Sequence, residues 1–156
     1  MNDHELLAAI EPVVDSLEQL SVPYSLVGSV VSSLHGVARS TLDADLVADL
    51  RIAHVDPLVD QLRATYYVDR DAARDAVHRR AMFNVIHLGS MIKVDIYVLT
   101  DRELDRSSFA RRTTRTLHEG RTYSLDTPED TVLHKLEWYR AGGEVSDRQW
   151  NDIIGV

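Results

Sequence analysis

The residues in this chain best suited to chemistry are a Gly-Ser pair and three aspartates: Gly28-Ser29, then Asp43-Ala44-Asp45, then Asp95 within the run Lys93-Val94-Asp95-Ile96-Tyr97-Val98. Side chains alternate faces along a strand, so Asp43 and Asp45 project to one side about 7 Å apart. Asp95 sits in a second β-branched and aromatic run; a neighbouring strand lies about 4.8 Å away, near enough to complete the cluster from the side. Hard carboxylate oxygens in this pattern suit Mg²⁺ or Mn²⁺ and leave coordination positions for phosphates. Two such ions roughly 3.5 to 4 Å apart stabilise the attacking and leaving oxygens of an in-line displacement. The chemistry expected of such residues is phosphoryl transfer. Asp-x-Asp alone is a weak signal, and the order of all the parts strengthens it. Asp95 leaves least room for a bland role, because an unpaired carboxylate among Val94, Ile96 and Val98 is costly without a cation or a paired base.

The elements that must position these groups are legible from periodicity. Leu6, Leu7, Ile10, Val13, Val14, Leu17 and Leu20 recur at helical spacing, predicting a helix over 3–20 in which Pro12 permits a bend. A short buried strand follows at 24–27. Gly28 then turns into a helix over about 29–37, whose N-terminus favours an anion near Ser29, although helix capping alone would account for that residue. A strand is expected over 43–50, with Asp49 at its end. Pro57 suits the first turn of a third helix, and a short strand falls at 66–68. The highly charged segment 69–80 reads as a weak helix or mobile loop. Strands 82–88 and 91–99 are separated by Gly89-Ser90, a spacing that suits a tight hairpin. A helix over 101–111, a small hairpin over 115–125 and a helix begun by Thr127-Pro128-Glu129-Asp130 complete the core. That helix stops at Gly142-Gly143, and Ser146 caps a last short one.

Composition narrows the class. At 156 residues the chain reads as one domain, 1–156, able to bury a core unaided. It has no cysteine, so disulfide and thiolate chemistry drop out. No stretch reaches the roughly 20 apolar residues of a membrane span, and the acidic start is unlike a signal peptide, so no membrane partner and a cytoplasmic location are expected. The net charge of -8 argues against a surface built wholly for nucleic acid. Arg106, Arg111, Arg112, Arg115 and Arg121 form a local basic excess that could meet a triphosphate or an RNA acceptor, the other reading being a solvated helix face and hairpin.

The stretch Val27-Gly28-Ser29 through His35-Gly36-Val37-Ala38-Arg39-Ser40-Thr41-Leu42-Asp43-Ala44-Asp45-Leu46, with Asp95 later and Thr127-Pro128-Glu129-Asp130 leading to Lys135-Leu136, resembles the nucleotidyltransferase superfamily with the DNA polymerase β type core. Within it, the chain is most similar to the minimal and the abortive-infection toxin-like members, over about residues 20 to 152. The resemblance implies an α/β (α+β) fold: a small, mixed, largely antiparallel sheet flanked by helices. It implies transfer of a nucleoside monophosphate, AMP first among them, from a nucleoside triphosphate to a hydroxyl of a protein, tRNA or small molecule, with Mg²⁺ or Mn²⁺ and in some relatives within a toxin–antitoxin pair. Asp43 and Asp45 would then bind both ions, and Asp95 would complete the one near the acceptor hydroxyl. Gly28, Ser29, Arg39 and Lys135 would face the nucleotide phosphates.

Several residues keep a plain alternative. Lys135, about two turns into its helix, is either a point charge for phosphates or a surface cation. His35 is expected to be structural, and Asp147 and Asp152 are as well explained by capping and exposure. Trp138, Tyr139 and Trp150 are expected as core or interface anchors. The chain ends at Ile153-Ile154-Gly155-Val156 without the longer helical extension of the tRNA-directed toxins, which weakens that assignment and leaves a homodimer or a partner chain open. Two other functions compete: a catalytically idle nucleotide-binding or antitoxin-like partner module of the same fold, and hydrolysis with water as acceptor.

Overall fold

The computed structural model describes residues 3–35 and 43–156, with side chains outside the description at 3, 33–35 and 118. In chain order the elements are α1 (Asp3–Gln19), β1 (Tyr24–Val27), α2 (Gly28–His35), β2 (Asp43–Ala48), α3 (Ile52–Leu62), β3 (Tyr66–Val68), α4 (Arg70–Arg79), β4 (Met82–His87), β5 (Lys93–Val98), α5 (Glu103–Arg111), β6 (Thr113–Thr116), β7 (Thr122–Leu125), α6 (Pro128–Ala141) and α7 (Asp147–Ile154). A short 3₁₀ turn at His118–Gly120 joins β6 to β7.

The seven strands form one mixed sheet in the order β3-β4-β5-β2-β1-β7-β6. Only β2 with β5 and β1 with β7 run parallel; the other neighbours are antiparallel. Alternation divides the central strands between two faces. Ala44, Leu46 and Ala48 of β2 and Val94, Ile96 and Val98 of β5 are buried in the core with Ile10, Val13, Val14 and Leu17 of α1. Tyr66 on β3 ties this layer together by donating its hydroxyl to the Ala9 carbonyl at 2.5 Å. Asp43, Asp45 and Val47 of β2, and Lys93, Asp95 and Tyr97 of β5, take the opposite parity. They face the side on which α2 packs against α6 and α6 against α7.

Three expectations need correction. Helix α3 begins at Ile52, five residues before Pro57, because the His54 ring accepts the Arg51 N–H at 3.0 Å and supplies the cap. Pro57 therefore lies inside the helix. The charged segment 70–79 is a full helix: the Asp69 carboxylate caps Ala72 N, and Ala73, Ala76 and Val77 form a narrow buried stripe. Arg70 and Arg74 then pair with Asp56, and Arg70 also with Asp60, on α3, so charges that look loose in sequence dock one helix on another. The β4–β5 turn is wider than a two-residue hairpin. Pairing ends with His87 N donating to Ile92 O, and the His87 ring and Ser90 close a four-residue loop in which Met91 has φ 60°. The expected helix over 29–37 is described to His35, its last two positions lying outside the described residues.

Helix α6 hangs on a buried carboxylate. Thr127 caps it, accepting from Asp130 N at 3.1 Å while its hydroxyl donates to Asp130 Oδ2 at 2.9 Å. Arg111 closes the other side with a two-pronged pair, Nε to Oδ2 at 3.0 Å and Nη2 to Oδ1 at 2.6 Å. The Arg111 guanidinium first, and the Thr127 hydroxyl after it, hold the Asp130 carboxyl below the usual carboxylate range. A lowered native pKa contributes stability that is complete above the ordinary aspartate value, about 3.9, and is lost as the pH falls from there through the native value. Urea midpoints should therefore drop as the pH is taken from about 5 to about 3, and Asp130→Asn should flatten part of that slope. An unchanged slope in the variant would count against the anchor.

Candidate active site

Antiparallel pairing of β1 with β2 sets Val27 opposite Asp45, so the next residue, Gly28, turns directly over the Asp45 carboxylate. Gly28 has φ 68°, and a Cβ placed there would stand 2.4 Å from Asp45 Oδ2. No side chain fits without moving the carboxylate. On the other side of β2, parallel pairing with β5 puts Asp95 opposite Asp45 and Lys93 opposite Asp43. The three aspartates therefore share one face of two adjacent strands, at the edge where β1 ends and α2 begins.

The electrostatics reflect this crowding. Burial first, then the Asp95 and Asp43 charges, push the Asp45 carboxyl up to about 6, with Lys93 and Lys135 opposing the shift. Asp95 is 7% exposed, and its Oδ1 is buried with no hydrogen-bond partner among the described residues. Lys93 Nζ lies 3.4 Å from Asp95 Oδ2 and 3.9 Å from Asp43 Oδ1. Among the described residues, no three acidic or imidazole side chains are drawn together into a ready-made metal cluster. The residues present nevertheless fit a hard cation: an orphaned carboxylate oxygen beside two further carboxylates is a donor set of the right chemistry.

A cavity of about 750 Å³ opens from Asp45. Gly28, Ser29, Tyr97 and Leu99 line it, together with Lys135 and Trp138 of α6. Burial first, and then the Asp45, Asp95 and Asp43 charges, push the Tyr97 hydroxyl up to about 12. The Trp138 ring is 56% exposed and stands 6.2 Å from the Tyr97 ring, so Trp138 is a wall of the cavity and no core anchor. Trp150, packed on Tyr139 at 5.5 Å, is also exposed. Asp152 reaches the cavity, whereas Asp147 sits exposed in the first turn of α7. Arg39 lies outside the described residues, as does the side chain of His35.

The basic run 106–121 is largely spent within the protein. Arg106 pairs with Asp101, Arg111 with Asp130, and Arg121 with Glu11 and Asp15, while Arg112 caps the Phe109 carbonyl and covers its ring. Sequence reasoning missed a polar chain at the cavity, whose lining includes Ser108, Asp126 and His134. Ser25 Oγ donates to Asp126 Oδ1 at 3.0 Å, Asp126 Oδ2 is 3.8 Å from His134 Nε2, and Ser108 Oγ is 3.0 Å from that nitrogen. Burial raises the Asp126 carboxyl, with Ser25 opposing. These four residues are far apart in sequence, and no local pattern signals them. Lys93 did carry a signal, the period-two parity of Lys93-Val94-Asp95.

No family model matches the chain, and no curated protein matches it significantly. Solved structures do. The antibiotic-resistance factor ANT(2'')-Ia superposes with a TM-score of 0.63 at 14% identity, over 97% of this chain and 82% of that one. The Thermotoga maritima protein TM1012, a nucleotidyltransferase by assignment, gives 0.64 at 16% identity, over 97% and 96%. The lincosamide antibiotic adenylyltransferase LnuA gives 0.53 at 14% identity, over 92% and 90%.

The contact between Gly28 and Asp45 can be tested apart from backbone strain. Gly28→Ala should destabilise by at least about 1–3 kcal/mol, the cost of a strained φ plus displacement of the carboxylate. Gly120→Ala, at φ 78° with open space around it, supplies the strain alone. Equal losses in urea titrations of the two variants would show that Asp45 is not held against Gly28. With its order of strands, its layers of helices and these structural neighbours, the chain has the nucleotidyltransferase fold.

Proposed function

We propose that this chain transfers a nucleoside monophosphate, AMP first, from a nucleoside triphosphate to an acceptor hydroxyl. The observation that carries the reading is the Asp45–Asp95 register beside Asp43, with the Asp45 carboxylate pressed against the Gly28 turn at the mouth of a cavity. AMP is favoured because LnuA, of the same fold, is an adenylyltransferase. Asp43, Asp45 and Asp95 would hold Mg²⁺ or Mn²⁺. Such ions, when bound, would neutralise charge on the phosphates and on the attacking oxygen.

The chain's own groups supply the rest. Amides at the start of α2, with Ser29, would face the triphosphate, and Lys135, which also lines the cavity, would add a point charge. Asp95, the strand partner of Asp45, would take the hydroxyl proton as the acceptor oxygen bonds to the α-phosphorus and the bond to the β-bridging oxygen breaks, releasing pyrophosphate. A volume of about 750 Å³ is within the range of small-molecule sites, which favours a small hydroxylated acceptor. A protein hydroxyl or a tRNA 3′ end, as in a toxin–antitoxin pair, is the competing acceptor class.

The test is transfer of label from α-³²P nucleoside triphosphates with Mg²⁺, comparing wild type with Asp95→Asn and with Asp43→Asn/Asp45→Asn. Asp95→Asn should lower the rate by on the order of 10² to 10⁴-fold, the usual loss of a general base, and the double variant should be inactive. Wild type and double variant equally inactive with every triphosphate and acceptor class would favour an idle binding module. Labelled free nucleotide without a labelled acceptor would identify a hydrolase.

A further inference from the structure

Lys93 is one of only two lysines in the chain, and its ammonium stands among the aspartates. Register explains the placement. Lys93 is the strand partner of Asp43 and precedes Asp95 by two residues, so all three side chains share a face. Its distances of 3.4 and 3.9 Å to Asp95 and Asp43 are those of ion pairs without close hydrogen bonding. The contact is therefore one of charge, and it can be exchanged for another. The side chain is 37% exposed and belongs to the first residue of β5, next to the loop from β4, so its flexible four-carbon stem can swing outward without unpacking the core.

We propose that Lys93 is a tethered counter-ion, which holds Asp43 and Asp95 until a divalent cation displaces it and so disfavours the bare ion relative to the ion arriving with a polyphosphate. The inference rests on the reading of the three aspartates as ion ligands. A tethered positive charge within 4 Å of two of those ligands opposes entry of any free cation. A triphosphate changes the balance, because its oxygens offer the displaced ammonium new partners. Metal and nucleotide then bind with positive coupling, and each must raise the affinity of the other by the same factor.

The measurement is Mn²⁺ binding to the full chain, followed by loss of the free-ion electron paramagnetic resonance signal. It is made with and without α,β-methylene-ATP and corrected for the ion held by the analogue itself. Lys93→Met should bind Mn²⁺ alone about tenfold more tightly or better than wild type, the effect of removing one close charge, and should gain little more from the analogue. Lys93→Arg, which keeps the charge, should behave as wild type. Lys93→Gln serves as a second neutral variant should Lys93→Met not fold. Without metal, the neutral variant should melt at a lower temperature than wild type, and Mn²⁺ should restore it. If Asp45→Asn abolishes Mn²⁺ binding but the neutral variant binds the bare ion no better than wild type, the role of Lys93 is overturned and the aspartate site stands. Absence of Mn²⁺ binding in wild type and variants, with and without the analogue, overturns both.

Discussion

Three carboxylates on one face of two neighbouring strands repel one another, and the structure is arranged around containing that repulsion. The parallel pairing of β2 with β5 aligns Asp45 with Asp95, and a slip of one residue would turn every acid of one strand into the core. What prevents the slip is the other face, where Ala44, Leu46, Val94 and Ile96 are buried against α1. Hydrophobic burial on one side thus holds like charges together on the other. Lys93 between Asp43 and Asp95, and Lys135 from α6, offset part of the cost, while burial first and the neighbouring carboxylates after it still raise the Asp45 carboxyl.

The same economy explains the start of α6. Helix α6 carries Lys135 and Trp138 to the cavity, and its start is fixed by Thr127, Asp130 and Arg111. Just before it, Asp126 is buried against Ser25 and within reach of His134. Arginines that could have met a polyanion instead secure helices: Arg111 at α6, Arg121 against the acids of α1. A net charge of -8 still leaves the cavity with cations in its lining, Lys135 together with Arg80, Arg102 and Arg148.

Where sequence reasoning fell short, it did so for identifiable reasons. The charged segment 70–79 looked weak because its apolar stripe is only Ala73, Ala76 and Val77, and its partners Asp56 and Asp60 belong to another helix. Pro57 suggested a helix start, but the His54 ring had already supplied one upstream. Trp138 read as a core or interface anchor; it is not core, because α6 turns it toward a cavity that local periodicity cannot show. Period-two alternation did forecast that Asp43 and Asp45 share a face, and the composition of the 93–98 run forecast a strand for Asp95.

The sequence by itself determined the strands, the Gly-Ser turn, the shared parity of the acids and the cap of α6, because each depends on backbone geometry and residues a few positions apart. Only the tertiary structure decided that β5 lies parallel beside β2 with Asp95 opposite Asp45, that Gly28 closes on Asp45, and that Lys93 settles between Asp43 and Asp95. Those outcomes depend on strand order and register. Both are set by how distant apolar faces pack against one another, which no local pattern encodes.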